Sequence, residues 1–218
     1  MPYDSAHRNV RMGAGPEHFA HHNVVQTLTD FGHDVSIESV EAQSSFQAEI
    51  KTAFELHGLL AERVSSAYSK ETFPLILSGN CNSILGTVAG VGSEDLGVIW
   101  FDSHGDFNTP ETTESGFLDG MGLATVAGLC WKRMATSIPG FKPISGGNML
   151  HVGGRDWYPA EKGLFEKAGG MICGAEPIRQ QGAEAGLAPT LDQLRSRVSR
   201  IYLHFDLDVL DPAVACAN

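Results

Sequence analysis

Apolar positions along the chain gather into short runs rich in β-branched residues, and these alternate with longer stretches of helical spacing. The runs lie at Val35–Val40, Phe73–Leu77, Leu96–Phe101, Asn148–Val152, Met171–Cys173 and Ile201–Phe205. Most are continuous rather than alternating, the pattern of strands buried on both faces. Between them, Pro16–Gly32 opens with proline and closes with glycine, which suits helix start and stop chemistry. Ser44–Lys70 is the longest helical stretch, with Phe46, Ile50, Phe54, Leu56 and Leu60 near helical spacing. Pro189–Arg200 is helical in pattern and leads straight into the last run. Strands alternating with helices predict an α/β domain with a mostly parallel sheet. Ligands of such sheets sit at the carboxyl ends of strands, so the residues directly after each run carry the chemistry.

Two of those strand ends are acidic. Asp102, His104 and Asp106 follow Leu96–Phe101 at alternate positions, and Asp206 and Asp208 follow Ile201–Phe205. Side chains two apart on a strand share a face. Hard oxygen donors with one imidazole suit Mn²⁺ or Mg²⁺ better than a thiolate-loving metal. Four carboxylates brought together repel and do not all ionise without cations among them. That many acids predict two ions sharing bridging oxygens. Either motif alone is also what a solvated acidic turn looks like; both at strand ends of one sheet favour the metal reading.

Composition narrows the field further. The 218 residues suffice for one sizeable core, which predicts one domain. A net charge of -11 argues against nucleic acid, whose phosphates would be repelled. Cys81, Cys130, Cys173 and Cys216 form no C-x-x-C pair and suit reduced thiols in a cytoplasmic protein. No apolar run approaches the roughly 20 residues of a membrane span, and the start "MPYDSAHRNVRMG" lacks a signal-peptide core. His18 and His22 are four apart but have no third ligand nearby, so a solvated helix face is expected. Cys81, in "GNCNS", has no histidine base beside it in sequence and reads as a buried structural thiol rather than a nucleophile. Arg155 and Asp156 read as a loop-bracing ion pair.

These motifs resemble the ureohydrolases, the family of arginase, agmatinase and formiminoglutamase. "FDSHGDFNTPETTESGFLDGMGL" resembles the family's D-A-H-x-D-x-N-T-P…S-G-x-x-H-G segment, and "HFDLDVLDPAVA" its S-F-D-x-D-x-x-D-P segment. "SGNCNSILG" stands where G-G-D-H-S belongs, and "HVGGRDWYPAE" is similar to G-x-R-D-x-x-P-x-E. The opening "PYDSAHRNVRMGAGPEHF" is similar as well, and the matches run in the family's order over essentially the whole chain. The resemblance implies a three-layer α/β/α fold over residues 1–218 and two Mn²⁺ per chain. It also implies hydrolysis of a linear C–N bond in a guanidino, ureido or formimino compound, and assembly as a homo-oligomer, a trimer or hexamer. Asp102, Asp106 and Asp206 match the ligands of one ion; Asp102, His104, Asp206 and Asp208 match those of the other. Asn108, Ser115 and Glu161 match substrate-binding positions, and Asp106 and Asp119 take the catalytic ones.

The departures from the family pattern shape what to expect. Asn82 is taken to replace the metal-binding histidine of G-G-D-H-S, which would weaken one site. Asp119 replaces the proton-relay histidine and can serve only if burial raises its pKa towards neutrality. Tyr158 stands where arginase has an acid contacting the substrate amine, which argues against L-arginine itself. The family's members continue beyond "DPAVACAN", so the resemblance implies a domain lacking its C-terminal part, with the sheet edge beside Ile201–Phe205 uncovered. The rival from another class is a non-catalytic relative acting as a metal-binding or partner subunit. Two-metal phosphate-ester hydrolysis is a third reading; it has the right acids but lacks the extra histidines and the basic residues that such sites use on phosphate.

Overall fold

The structure is a computed structural model and describes residues 1–46 and 48–214. A small antiparallel pair, β1 (Tyr3–Asp4) and β2 (His7–Arg8), opens the chain. Two short helices follow, α1 (Gly15–His21) and α2 (Val24–Asp30), and then the long α3 (Glu49–Ser69) and α4 (Ile84–Val91). After β3 (Leu96–Phe101) come α5 (Gly122–Val126), α6 (Lys132–Ala135) and β4 (Met149–Val152). The chain continues through α7 (Pro159–Lys167), β5 (Met171–Cys173), α8 (Ala175–Gln181), α9 (Ala183–Arg195) and β6 (Arg200–Phe205).

Strands β3 to β6 form one parallel sheet in the order β5-β4-β3-β6. Alternate residues face opposite layers. Leu96, Val98, Trp100 and Met149 face a core shared with Phe54 and Ala61 of α3, Ile84 and Val88 of α4 and Phe165 of α7. Ile99, Phe101, Leu150 and Val152 face the other layer, where Ile178, Leu187 and Leu194 of α8 and α9 cover them. Helices on both faces make this the expected three-layer α/β/α fold. Among the described residues no helix is long and apolar enough to cross a membrane.

The α3–α4 contact depends on missing side chains. A Cβ on Gly86 would sit 2.6 Å from the His57 carbonyl oxygen, and one on Gly90 2.7 Å from that of Ala61. Glycines four apart on α4 therefore let the two helix backbones approach closely.

The structure corrects several expected elements. Val35–Val40 and Phe73–Leu77 carry no strand ladder. Phe73 is 89% and Leu75 58% exposed, and only Val40 and Ile76 of these segments reach the cluster formed by Met1, Leu56, Leu60 and Val64. Apolar β-branched sequence supplies strand propensity, but a ladder needs a neighbour in register. The expected Pro16–Gly32 helix is broken at Asn23, whose φ of 64° is left-handed and ends one helix before the next begins. Pro189 lies inside α9 rather than starting it.

Among the described residues, strand β6 borders the sheet. Its Tyr202 and His204 face the layer of Trp100, whereas Ile201, Leu203 and Phe205 face the other. The α8–α9 layer does not reach them, and they are 39%, 59% and 52% exposed.

Candidate metal centre

Strand register brings the two acidic clusters together. Phe101 pairs with Phe205, so Asp102 and Asp206 leave adjacent parallel strands at the same level. The Asp206 amide donates to the Phe101 carbonyl at 2.8 Å, and the Asp102 amide to that of Val152 at 3.2 Å. Asp206 then caps a short turn by accepting from the Asp208 amide at 2.8 Å, which swings Asp208 back towards β3. There Asp208 accepts from the Ser103 amide at 3.0 Å and meets His104 Nδ1 at 2.9 Å.

Among the described residues, donor atoms gather in two groups that share Asp102. One contains Asp102, His104 and Asp208; the other contains Cys81, Asp102, His204 and Asp206, and within each group the donor atoms lie within 4.8 Å of one another. The geometry thus unites Asp102, His104, Asp206 and Asp208 as the sequence pattern predicts. Asp106 belongs to neither group, although it is buried nearby with φ 49° and an Oδ2 that has no partner.

The charges of these groups perturb one another strongly. Burial pushes Asp102 up to about 6. Burial, and then the charges of Asp102, Asp119 and Asp206, hold Asp106 well above the usual carboxylate range. Hydrogen bonds to Asp102 and Asp208 raise His104 to about 11, so without a metal it stands as the cation. Burial would raise Asp208, but His104 and the Ser103 amide hold it below the usual range. A buried orphan oxygen on Asp106, a buried unpartnered Nε2 on His204 and mutually repelling acids all fit bound divalent cations.

Asn82, expected as a ligand, is buried beside this group, but it is its backbone N–H that donates to Asp119 Oδ1, at 3.0 Å, and its side-chain Oδ1 has no partner. The side chain that reaches Asp206 from this turn is Cys81, with Sγ 3.2 Å from Oδ2. Set without a gap, "SGNCN" against G-G-D-H-S puts Cys81, not Asn82, at the histidine's place. The same comparison puts His204 where S-F-D-x-D has serine. Cys81, expected as a buried structural thiol, is instead half-buried with its Sγ on Asp206, and His204 was not singled out from the sequence. An ungapped pairing of the motifs would have found Cys81; for His204 the signal was an imidazole two residues before Asp206 on the same strand face.

The remaining expected site residues divide. Asp119 is buried, accepts from Asn80 Nδ2 at 2.5 Å and from the Asn82 amide, and burial raises it to about 7. Asn108 is buried and accepts from the Thr112 hydroxyl at 3.0 Å. Ser115 is exposed. Glu161 turns inward: it is 2% exposed, and its oxygens accept from the Phe107 amide at 2.9 Å and the Tyr158 amide at 3.2 Å. It braces the loop after β3 against the start of α7. Arg155 is not paired with Asp156; its guanidinium holds the carbonyls of Asp208, Val209 and Leu210, fixing the loop that carries Asp208. His18 and His22 lie on an exposed helix face, as expected. Cys130 and Cys173 are buried free thiols; Cys216 lies outside the described residues.

Carboxylate and imidazole donors thus lie at the carboxyl edge of the parallel sheet of an α/β/α sandwich, the edge where ligands of such sheets bind. Residues 1–217 match the model of the arginase family, and the chain belongs to that family. It is 32% identical over 226 residues to the arginase of Bacillus subtilis strain 168, spanning 97% of this chain and 74% of that one. It is 30% identical to the arginase of Bacillus caldovelox over 99% of this chain and 76% of that one. The crystal structure of Bacillus subtilis arginase superposes with a TM-score of 0.87 at 29% identity, covering 98% of this chain and 74% of that one. Formimidoylglutamase of the same species shares the fold, with a TM-score of 0.63 at 20% identity over 89% of this chain and 60% of that one.

Proposed function

We propose that this chain is a metal-dependent hydrolase that cleaves a linear C–N bond in a guanidino, ureido or formimino compound. The observation that carries the reading is the pair of donor groups sharing Asp102 at the joined ends of β3 and β6. Asp102, His104 and Asp208 would hold one divalent ion, and Asp102 and Asp206 would contribute to a second. When bound, such ions supply the charge that makes water acidic and polarises a planar C–N carbon. The resemblance makes manganese the expected metal, and the oxygen-rich group around His104 suits it.

The chain's own groups supply the rest. Asp119, with its pKa raised to about 7 by burial, can hold a proton at neutral pH and release it to a leaving amine. Asp106, buried and without a partner on Oδ2, can accept a hydrogen bond from an attacking water. Asn108 and Ser115 would orient the far end of the substrate. Glu161 acts at one remove, holding the Phe107 amide and so the loop that carries Asp106 and Asn108. The protein would work in the cytoplasm on a small molecule, as a homo-oligomeric trimer or hexamer.

The test is to load the purified chain with divalent metal and follow release of urea, ammonia or amine across such compounds. Hydrolysis of one of them, abolished in Asp106→Asn with metal still bound, is the expected result. Metal bound stoichiometrically with no turnover on any compound would move the protein to the non-catalytic relatives.

A further inference from the structure

We propose that Cys81 and His204 complete a mixed sulfur–nitrogen–oxygen metal site with Asp102 and Asp206, and that this site prefers a borderline-soft ion such as Zn²⁺ over Mn²⁺. It rests on the metal-centre half of the function proposed above and not on the hydrolytic half.

The donor set is unlike the oxygen-rich one that the sequence led us to expect. Sγ of Cys81, a ring nitrogen of His204 and carboxylate oxygens of Asp102 and Asp206 lie within 4.8 Å of one another. Ligands around a tetrahedral Zn²⁺ stand at about 2.3 Å for sulfur and about 2.0–2.2 Å for nitrogen and oxygen, so only small side-chain movements would close this group on one ion. His204 supplies an independent sign. Its Nδ1 faces the Tyr202 hydroxyl at 3.5 Å, and its Nε2 is buried with no partner at all. A buried ring nitrogen left without a partner is costly unless something binds it. The imidazole is also held in place, stacked on Trp100 with ring centroids 3.5 Å apart.

The two departures from the family motif then explain each other. The histidine position of G-G-D-H-S carries a thiol, and the serine position of S-F-D-x-D carries an imidazole. Across the gap between the α4 turn and β6, one pocket trades an imidazole and a hydroxyl for a thiol and an imidazole. Without metal, the Cys81 thiol donates to Asp206. On binding, that proton leaves to solvent and the thiolate takes its place on the ion. Thiolate donors draw Zn²⁺ and Co²⁺ much more strongly than Mn²⁺.

The metal-free full chain is titrated with Co²⁺ to two equivalents and followed by optical absorption; Zn²⁺ and Mn²⁺ affinities are then measured by chelator competition. A thiolate-to-cobalt charge-transfer band is expected, absent in Cys81→Ser. The ratio of Zn²⁺ to Mn²⁺ affinity should fall about tenfold or more in Cys81→Asp and in His204→Gln. No such band in the unaltered chain would overturn the proposal whether or not the variants fold, and so would an unchanged ratio in folded Cys81→Asp. Hydrolysis by a chain whose cobalt form lacks the band would sink this inference and leave the hydrolase reading standing; the band without hydrolysis would do the reverse.

Discussion

Trp100 lies flat against His204, with ring centroids 3.5 Å apart and planes within 8°. The same indole donates its N–H to Asp102 Oδ2 at 3.0 Å. One fully buried side chain therefore orients two prospective ligands on neighbouring strands. Partners of this kind, one step behind the ligands, fix ring orientation and carboxylate rotamer before the ion arrives. Trp100→Phe keeps an aromatic face for His204 but removes the donor to Asp102. Metal affinity should fall by about tenfold, with the folded far-ultraviolet spectrum intact. An affinity within twofold of the parent would show that Asp102 needs no such partner.

Gly86 and Gly58 make a paired test of the helical layer. Alanine gains about 1 kcal/mol over glycine in a helix interior. At Gly58 in α3 a Cβ meets nothing within 4 Å, so Gly58→Ala should raise stability by up to that amount. At Gly86 the Cβ meets the His57 carbonyl oxygen at 2.6 Å, and a backbone oxygen in a packed helix cannot step aside. Overpacking costs about 1–3 kcal/mol, which outweighs the propensity gain. Gly86→Ala should lower Tm by several degrees while Gly58→Ala raises it slightly, at roughly 2–4 °C per kcal/mol for a chain of this size. Equal shifts in the two would refute the close approach of α3 and α4.

The central sheet was readable because its strands are buried on both faces and so appear as unbroken apolar runs; Leu96–Phe101 and Met171–Cys173 keep their expected bounds. Phe73–Leu77 looks the same in sequence yet has no ladder, because no local signal says whether a partner strand lies alongside. Alternate spacing at two strand ends was enough to bring Asp102, Asp206 and Asp208 into the donor groups, whereas Asp106, at the same spacing, joins neither. For Cys81 and His204 the sequence carried a signal of position, but not of the contacts they make. Sγ of Cys81 finds Asp206 across 125 residues of chain, a contact that no spacing rule reaches. Glu161 was read as facing a substrate because its motif position says nothing of side-chain direction; two backbone amides turn it inward.

Ile201, Leu203 and Phe205 line one face of β6 and are substantially exposed. Contiguous apolar surface on a border strand favours association of like chains. Self-association through this face would show as concentration dependence in light scattering that Leu203→Lys reduces. The substitution's effect on stability should stay within about 0.5 kcal/mol, because the side chain packs against little. Unchanged association in this variant, or none in the parent, would show that this face does not bring copies together.

His57 sets part of the response to acid. It is fully buried in α3, neither ring nitrogen has a partner, and its nearest aromatic is Phe54, with ring centroids 5.4 Å apart. Burial lowers its pKa to about 3, against an ordinary value of 6.5. Between those values the unfolded chain binds a proton that the folded chain refuses. Stability from this residue is therefore complete above pH 6.5 and is lost progressively as pH falls towards 3, at about 1.4 kcal/mol per pH unit. His151 and His204, lowered to about 4 and about 3 by burial, add to the same limb. His57→Leu removes one contribution without breaking a hydrogen bond. Unfolding by urea at pH 7.5, 6.0 and 5.0 should show the variant's stability gaining on the parent's as pH drops, while the two change little relative to each other above 6.5. A difference between the two that stays constant across all three pH values would mean that the folded protein accommodates a charged His57.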